Sequence, residues 1–202
     1  MRFVWVDTNN DADLAAGSRH GINGYFFDLF DPKVTQAALQ SLVAKGVSVG
    51  VYMASNWPQF DGLPGPRVAE VVNARVKQIA GVSLRASFPK VQFDLEKHDP
   101  EMIAATFRRW RELRPNQDTS WTMEPFQSGW MSPEFVSAVL AARVRVVPQL
   151  YLGNMQPAAA DMVLRRMLQA GFPENIISGF YDAAALPAGW DGFAFTQGRL
   201  PQ

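Results

Sequence analysis

Apolar and polar positions alternate with a period of two over Val91-Gln92-Phe93-Asp94-Leu95-Glu96, which is the signature of a strand with one apolar and one polar face. Val91, Phe93 and Leu95 share one side, and Gln92, Asp94 and Glu96 share the other. The same short β-rich run recurs along the chain, each time followed by a polar or Gly/Pro-bearing loop and an amphipathic stretch. The order predicts parallel βαβ units. Strands are expected at 3–6, 24–30, 47–54, 90–96, 119–124, 144–152, 176–181 and 192–197. A short helix is expected around 11–17, and longer ones at 31–45, 67–80, 100–113, 133–142 and 158–171. Asp31-Pro32, Asp99-Pro100 and Ser132-Pro133 each read as an N-cap followed by proline at the first helical position. The tail after Gln197 is too short for another outer helix. The expected fold is therefore α/β, a compact, incomplete (β/α)8 barrel of the TIM type lacking its last outer helix. A doubly wound open sheet is the alternative, but Asp7-Thr8-Asn9-Asn10 is not the Gly-rich first turn such a sheet carries.

Composition narrows the picture. The chain has 202 residues, 48% of them hydrophobic, which suits one sizeable core, so 1–202 is expected to form a single domain. Basic and acidic residues balance at 19 each, which leaves no field of one sign to attract nucleic acid. With no cysteine there are neither disulfides nor thiolate chemistry. The N-terminus enters a strand at once, without the apolar stretch of an export signal, and no run is long enough to cross a membrane, so a soluble protein is expected.

In a barrel of this kind the C-terminal strand ends and the loops after them form the active face. Those ends carry Asp7, Asp28, Tyr52, Asp94, Glu96, Glu124, Gln149, Tyr151, Asp182 and Gln197. The long loop 55–66 adds Trp57, and Trp130 follows the fifth strand. A loop of that length with aromatics at its centre is more often functional than connecting. Plainer readings stand beside these. Asp7, Asp28 and Asp182 are also suited to capping loops, and Asp94 and Glu96 to pairing with Lys97, His98 or an Arg. The two histidines, His20 and His98, both fall in loops and make no ligand cluster, whereas a carboxylate site for Mg²⁺ or Ca²⁺ from Asp7, Asp28 and Glu96 stays open. No nucleophile elbow or phosphate loop is present, and no cofactor is expected.

Pro89-Lys90-Val91-Gln92-Phe93-Asp94-Leu95-Glu96 resembles the fourth-strand Asp-x-Glu segment of the glycoside hydrolase family 25 lysozymes and, more distantly, the end of the chitinase family 18 motif. Asp7, Gln149-Leu150-Tyr151 and Phe195-Thr196-Gln197-Gly198 resemble the first-, sixth- and last-strand segments of family 25. Gln92 stands where family 18 has an Asp, and Phe195 where family 25 has a Trp. The resemblance implies hydrolysis of an N-acetylhexosamine polymer such as peptidoglycan. Glu96 would be the general acid, its pKa raised by burial and by its neighbour. Asp94 would stay ionised and stabilise the N-acetyl group or the oxocarbenium, with Asp7 and Asp182 tuning the pair. Tyr52, Trp57, Tyr151 and Trp130 would supply stacking surfaces, and Asp28, Glu124, Gln149 and Gln197 polar contacts. The competing reading is a non-catalytic barrel, a carbohydrate-binding or structural module of a phage tail, another virion component or a cell-surface assembly, with a glycan, the other virion proteins or its own copies as partners.

Overall fold

The computed structural model describes residues 3–6, 24–80, 90–96, 98–124, 129–150, 157–177, 179–182 and 192–195. Side chains are described in all of these but 3–6, Pro157, 179–182 and 192–195. The expected short helix at 11–17, the segment 125–128 and the tail after Phe195 lie outside them.

Eight strands form one parallel sheet: β1 (Phe3–Val6), β2 (Gly24–Asp28), β3 (Ser48–Ala54), β4 (Lys90–Asp94), β5 (Thr119–Met123), β6 (Arg145–Pro148), β7 (Gly179–Asp182) and β8 (Gly192–Phe195). Five α-helices are described: α1 (Gln36–Ala44), α2 (Gly65–Ala80), α3 (Pro100–Leu113), α4 (Pro133–Ala141) and α5 (Pro157–Gln169). The strand order is β6-β5-β4-β3-β2-β1-β8-β7, and a parallel bridge from Val146 to Ile177 joins the two ends of that order. The sheet therefore closes on itself, as the βαβ pattern predicts, and an open doubly wound sheet is ruled out. Ile177 makes its bridge just before β7, and Glu174–Ile176 is a 3₁₀ turn instead of the expected strand start.

In β3, β4 and β5 the apolar parity packs outward against the helices. Val91, Phe93 and Leu95 are fully buried in a core that also holds Val49, Val51, Met53, Trp121 and Met123. Phe93 meets Trp110 of α3 edge-on, with ring centroids 5.2 Å apart, and Phe107 in the same way at 5.7 Å. The Trp110 indole N–H donates to Thr119 Oγ1 at 2.9 Å, so this ring is buried with its one polar atom satisfied. Inside the barrel space is tight. A Cβ on Gly50 would overlap the Phe26 ring, so glycine at the centre of β3 lets β2 turn a phenyl ring inward.

Two of the three proline-started helices follow expectation. Asp99 accepts from Met102 N at 2.9 Å and Ser132 from Phe135 N at 3.3 Å, each with proline next in sequence. The third does not. The cap of α1 is Thr35, whose Oγ1 accepts from Ala38 N, and the helix starts at Gln36. Asp31 instead accepts from Lys33 N at 2.8 Å in a turn of its own, which is the competing use of an Asp side chain ahead of a proline. Arg75 of α2 fixes that turn by donating to the carbonyls of Leu29, Asp31 and Val34.

At the strands' N-terminal end, Arg111 of α3 binds the loops that enter β5 and β6. Its guanidinium donates to the carbonyls of Ala142 at 2.7 Å, Arg143 at 3.0 Å and Pro115 at 2.5 Å. Arg143 is the one described non-glycine residue with a left-handed backbone, at φ 53°.

Candidate active site

The polar parity of β4 points into the barrel, as the alternation predicts. In register, Ala54 of β3, Asp94 of β4, Thr122 of β5 and Val147 of β6 lie side by side, and one step toward the strand starts come Tyr52, Gln92, Ser120 and Arg145. Gln92 and Thr122 are fully buried, and Asp94 is 9% exposed. Glu96 is half-buried, two residues past Asp94, where the chain has left the strand. The loop after β3 grips this end of β4: Ser55 N donates to Asp94 O at 2.9 Å, and Ser55 Oγ to Glu96 O at 3.4 Å. The backbone carrying both carboxylates is thus held by hydrogen bonds from a neighbouring segment.

Gln149 closes the other side. Its backbone N–H donates to Met123 O at 2.9 Å, and its side chain, 1% exposed, donates from Nε2 to Glu96 Oε1. The pairing spans 53 residues of sequence and was not legible from either segment alone. Three buried polar atoms of this inward face, Asp94 Oδ1, Thr122 Oγ1 and Gln149 Oε1, have no hydrogen-bond partner among the described residues. Buried polar atoms are normally paired, and a group of unpaired ones at the C-terminal mouth of a barrel marks a place for a polar ligand.

The electrostatics differ from expectation. Burial above all, then repulsion from Glu96 and hydrogen bonding with it, hold the Asp94 carboxyl well above the ordinary carboxylate range. Asp94 is the more deeply buried of the two carboxylates, and its desolvation works against the expectation that it stays ionised. Neither carboxylate forms an ion pair among the described residues. Lys90, farther down the same face, is bound to Asp118 at 2.7 Å. Burial also pushes the His98 imidazole below its usual value, with Asp99 opposing.

The upward shift at Asp94 bears on stability. A carboxyl raised in the folded state binds its proton more tightly than in the unfolded chain, whose ordinary value is 3.8, so folding loses stability as pH rises above that value toward the folded one. Asp94→Asn removes the titration. Urea midpoints of both proteins between about pH 4 and about pH 7 are expected to move in favour of the variant as pH rises, whereas a pH-independent difference would count against the upward shift.

The other expected site residues divide. Tyr52 is half-buried at the end of β3, its ring 5.8 Å from that of Trp57, which stacks at 27° on Phe60 and meets Phe30 edge-on. The loop after β3 therefore builds an aromatic wall from the same segment that grips Asp94. Asp28 ends β2 half-buried, and its Oδ1 accepts from Phe30 N at 2.6 Å and Asp31 N at 3.2 Å, the loop-capping role that was its plainer reading. Glu124 is half-buried directly after β5. Trp130 is not a stacking surface. It is fully buried, with its ring 4.8 Å from that of Trp121. Asp182 ends β7, but its side chain, like Asp7, Tyr151 and Gln197, lies outside the described residues. Among the described residues no three His, Asp or Glu side chains converge as a metal site, and no helix is long and apolar enough to cross a membrane.

Solved structures share the fold. The catalytic domain of a hyperthermophilic chitinase from Pyrococcus furiosus superposes with a TM-score of 0.61 at 13% identity, over 96% of this chain and 76% of that one. Catalytic-site mutants of active domain 2 of a chitinase from the same organism give 0.60 at 13% identity, over 89% of this chain and 71% of that one. Mutants of that domain complexed with chito-oligosaccharides give 0.59 at 12% identity, over 95% and 75%. The fold is that of chitinase catalytic domains. No protein-family model matches the chain, and no curated protein sequence does. At this identity the likeness concerns the course of the backbone, so the chemistry has to be argued from the chain's own residues.

Proposed function

We propose that this chain is a glycoside hydrolase acting on an N-acetylhexosamine polymer, chitin-like or peptidoglycan-like, and that it works as one barrel domain. The observation that carries the reading is the buried Asp94 beside the more accessible Glu96, on the inward face at the C-terminal end of β4 in a chitinase-like barrel. Glu96 is placed to protonate the glycosidic oxygen, because its carboxyl stands past the strand end, while Asp94 lies deeper. Asp94 is suited to hold the substrate's acetamido group so that its carbonyl oxygen assists at the anomeric carbon, the substrate-assisted variant of two-carboxylate hydrolysis. Tyr52 and Trp57 would stack on sugar faces, joined by Tyr151. Glu124, Gln149 and Gln197 would bind hydroxyl or acetamido groups with Asp28 at the edge, and Asp7 and Asp182 would tune the pair.

Release of reducing ends is the test, from N-acetylglucosamine oligomers, from purified bacterial cell wall and from cello-oligosaccharides, which lack the acetamido group. Turnover of an acetamido polymer with none of the cello-oligosaccharides is expected. Glycan binding without turnover would instead favour the second reading, a carbohydrate-binding module of a cell-wall-directed or virion assembly. Gln92, a neutral amide where the family 18 pattern has an acid, is the residue that favours that reading.

A further inference from the structure

The loop between β3 and α2, residues 55–64, is fastened at both ends to one stretch of chain, the stretch that leaves Asp94 and runs into α3. At its start Ser55 N donates to Asp94 O at 2.9 Å. At its end the buried Gly65 lies against the first turns of α3. A Cβ on Gly65 would strike Met102 O and would stand 2.8 Å from Thr106 Oγ1 and 2.9 Å from Thr106 N. Met102 O and Thr106 N are backbone atoms, so α3 cannot make room by turning a side chain. Thr106 Oγ1 is tied into its own helix, donating to Met102 O at 2.9 Å. Glycine is required here by the close approach of two backbones.

Between its ends the loop is a run of turns with no slack. Trp57 N donates to Ala54 O at 3.3 Å, Phe60 N to Trp57 O at 3.0 Å, Leu63 N to Phe60 O at 3.1 Å and Arg67 N to Pro64 O at 2.9 Å. Phe60 is fully packed, and the half-buried Trp57 ring stacks on it. Beyond Gly65 the rest of α2 is held in place. Arg114 Nε donates to Asn73 Oδ1 at 2.8 Å, Arg109 Nη2 to Glu70 Oε1 at 3.0 Å, and Val68, Val72 and Val76 are buried in the core. A push at residue 65 therefore runs back along the loop toward Trp57.

We propose that Gly65 is a positioning residue for glycan recognition: by letting α2 meet the backbone of α3, it sets where the Trp57 ring stands relative to the carboxylates. The inference rests on the proposed reading, in which Trp57 is a sugar platform, and extends it to a residue that touches no substrate. Asp94 and Glu96 sit at the end held by Ser55, which a push at residue 65 does not reach directly. Loss of Gly65 thus acts on the grip of the polymer and not on the chemical step.

Gly65→Ala is the test, read first without any glycan. In a nitrogen–proton NMR spectrum of the indoles, with Trp57 assigned by Trp57→Phe, the Trp57 resonance is expected to move more than those of Trp121 and Trp130. Calorimetry with an N-acetylglucosamine hexamer is expected to show binding weakened about three- to tenfold, with KM raised to match and kcat unchanged. In a Trp57→Ala background the same substitution is expected to weaken binding no further, because the ring through which it acts is gone. A glycine that served only to fold the chain would give equal penalties in both backgrounds. Thr106→Val, which sets a methyl against Gly65 in place of the hydroxyl, is expected to move the Trp57 resonance even if Gly65→Ala does not fold, and Thr106→Ser, which keeps the hydroxyl, to leave it in place. A Trp57 resonance unmoved in the folded variants would overturn the proposal, as would additive penalties or a loss confined to kcat. Hexamer binding that follows the expected cycle without release of reducing ends would count against the hydrolase reading alone and leave the role of Gly65 standing.

Discussion

Glu96→Gln is expected to slow release of reducing ends by about 10²- to 10⁴-fold, the range a positioned general acid contributes. The substitution conserves the length of the side chain, so the loss would fall on kcat more than on KM. Glutamine at 96 can still accept from Gln149 through its carbonyl oxygen, and Ser55 would still bind the backbone of residue 96. What it cannot do is deliver a proton to the leaving oxygen. Initial rates on an N-acetylglucosamine oligomer, with binding measured separately by calorimetry, check the expectation. An unchanged rate would remove Glu96 from the chemistry and with it the hydrolase reading. A loss of binding equal to the loss of rate would make Glu96 a ligand contact instead of an acid.

The largest effect on stability is expected at Trp110. Its ring is fully buried between Phe93 of β4 and the rest of α3, and its N–H is satisfied by Thr119 of β5, so one side chain joins a helix to two strands. Trp110→Ala is expected to cost about 3–5 kcal/mol, because the layer has no exposed edge from which it could collapse into the space. Trp110→Phe keeps most of the ring and forfeits the hydrogen bond, and about 1–2 kcal/mol is expected there. Urea unfolding with matched slopes separates the two. A loss under about 1 kcal/mol for the alanine variant would mean that α3 repacks onto β4 without the indole.

Much of the fold was legible because its signals are local. The period-two run at β4 gave both its faces, and two cap-and-proline pairs gave the starts of α3 and α4. Where a local signal had two uses, the reading failed: Asp31 serves its own turn, and Thr35 caps the helix. Trp130 misled for a different reason. A tryptophan between glycine and methionine in a connecting segment reads as an exposed aromatic, and only the position of Trp121 on the outer face of β5 shows that there is a ring to bury it against. The site was legible as a set of strand ends but not as a set of contacts. The hold of Gln149 on Glu96 and the depth of Asp94 depend on how β4, β5 and β6 are staggered, which no single segment encodes.

The guanidinium of Arg111 divides the labour between the two ends of this barrel. By binding the carbonyls of Ala142, Arg143 and Pro115 it holds the loops that enter β5 and β6, including the left-handed Arg143, without calling on any residue of the opposite rim. The rim that carries the carboxylates and the aromatic wall takes no part in that fastening. Insertions, deletions and exchanges there can retune which polymer is admitted while the chassis beneath stays as it is, so variation among descendants of this chain should collect on the loops after the strands and spare the clasp under them.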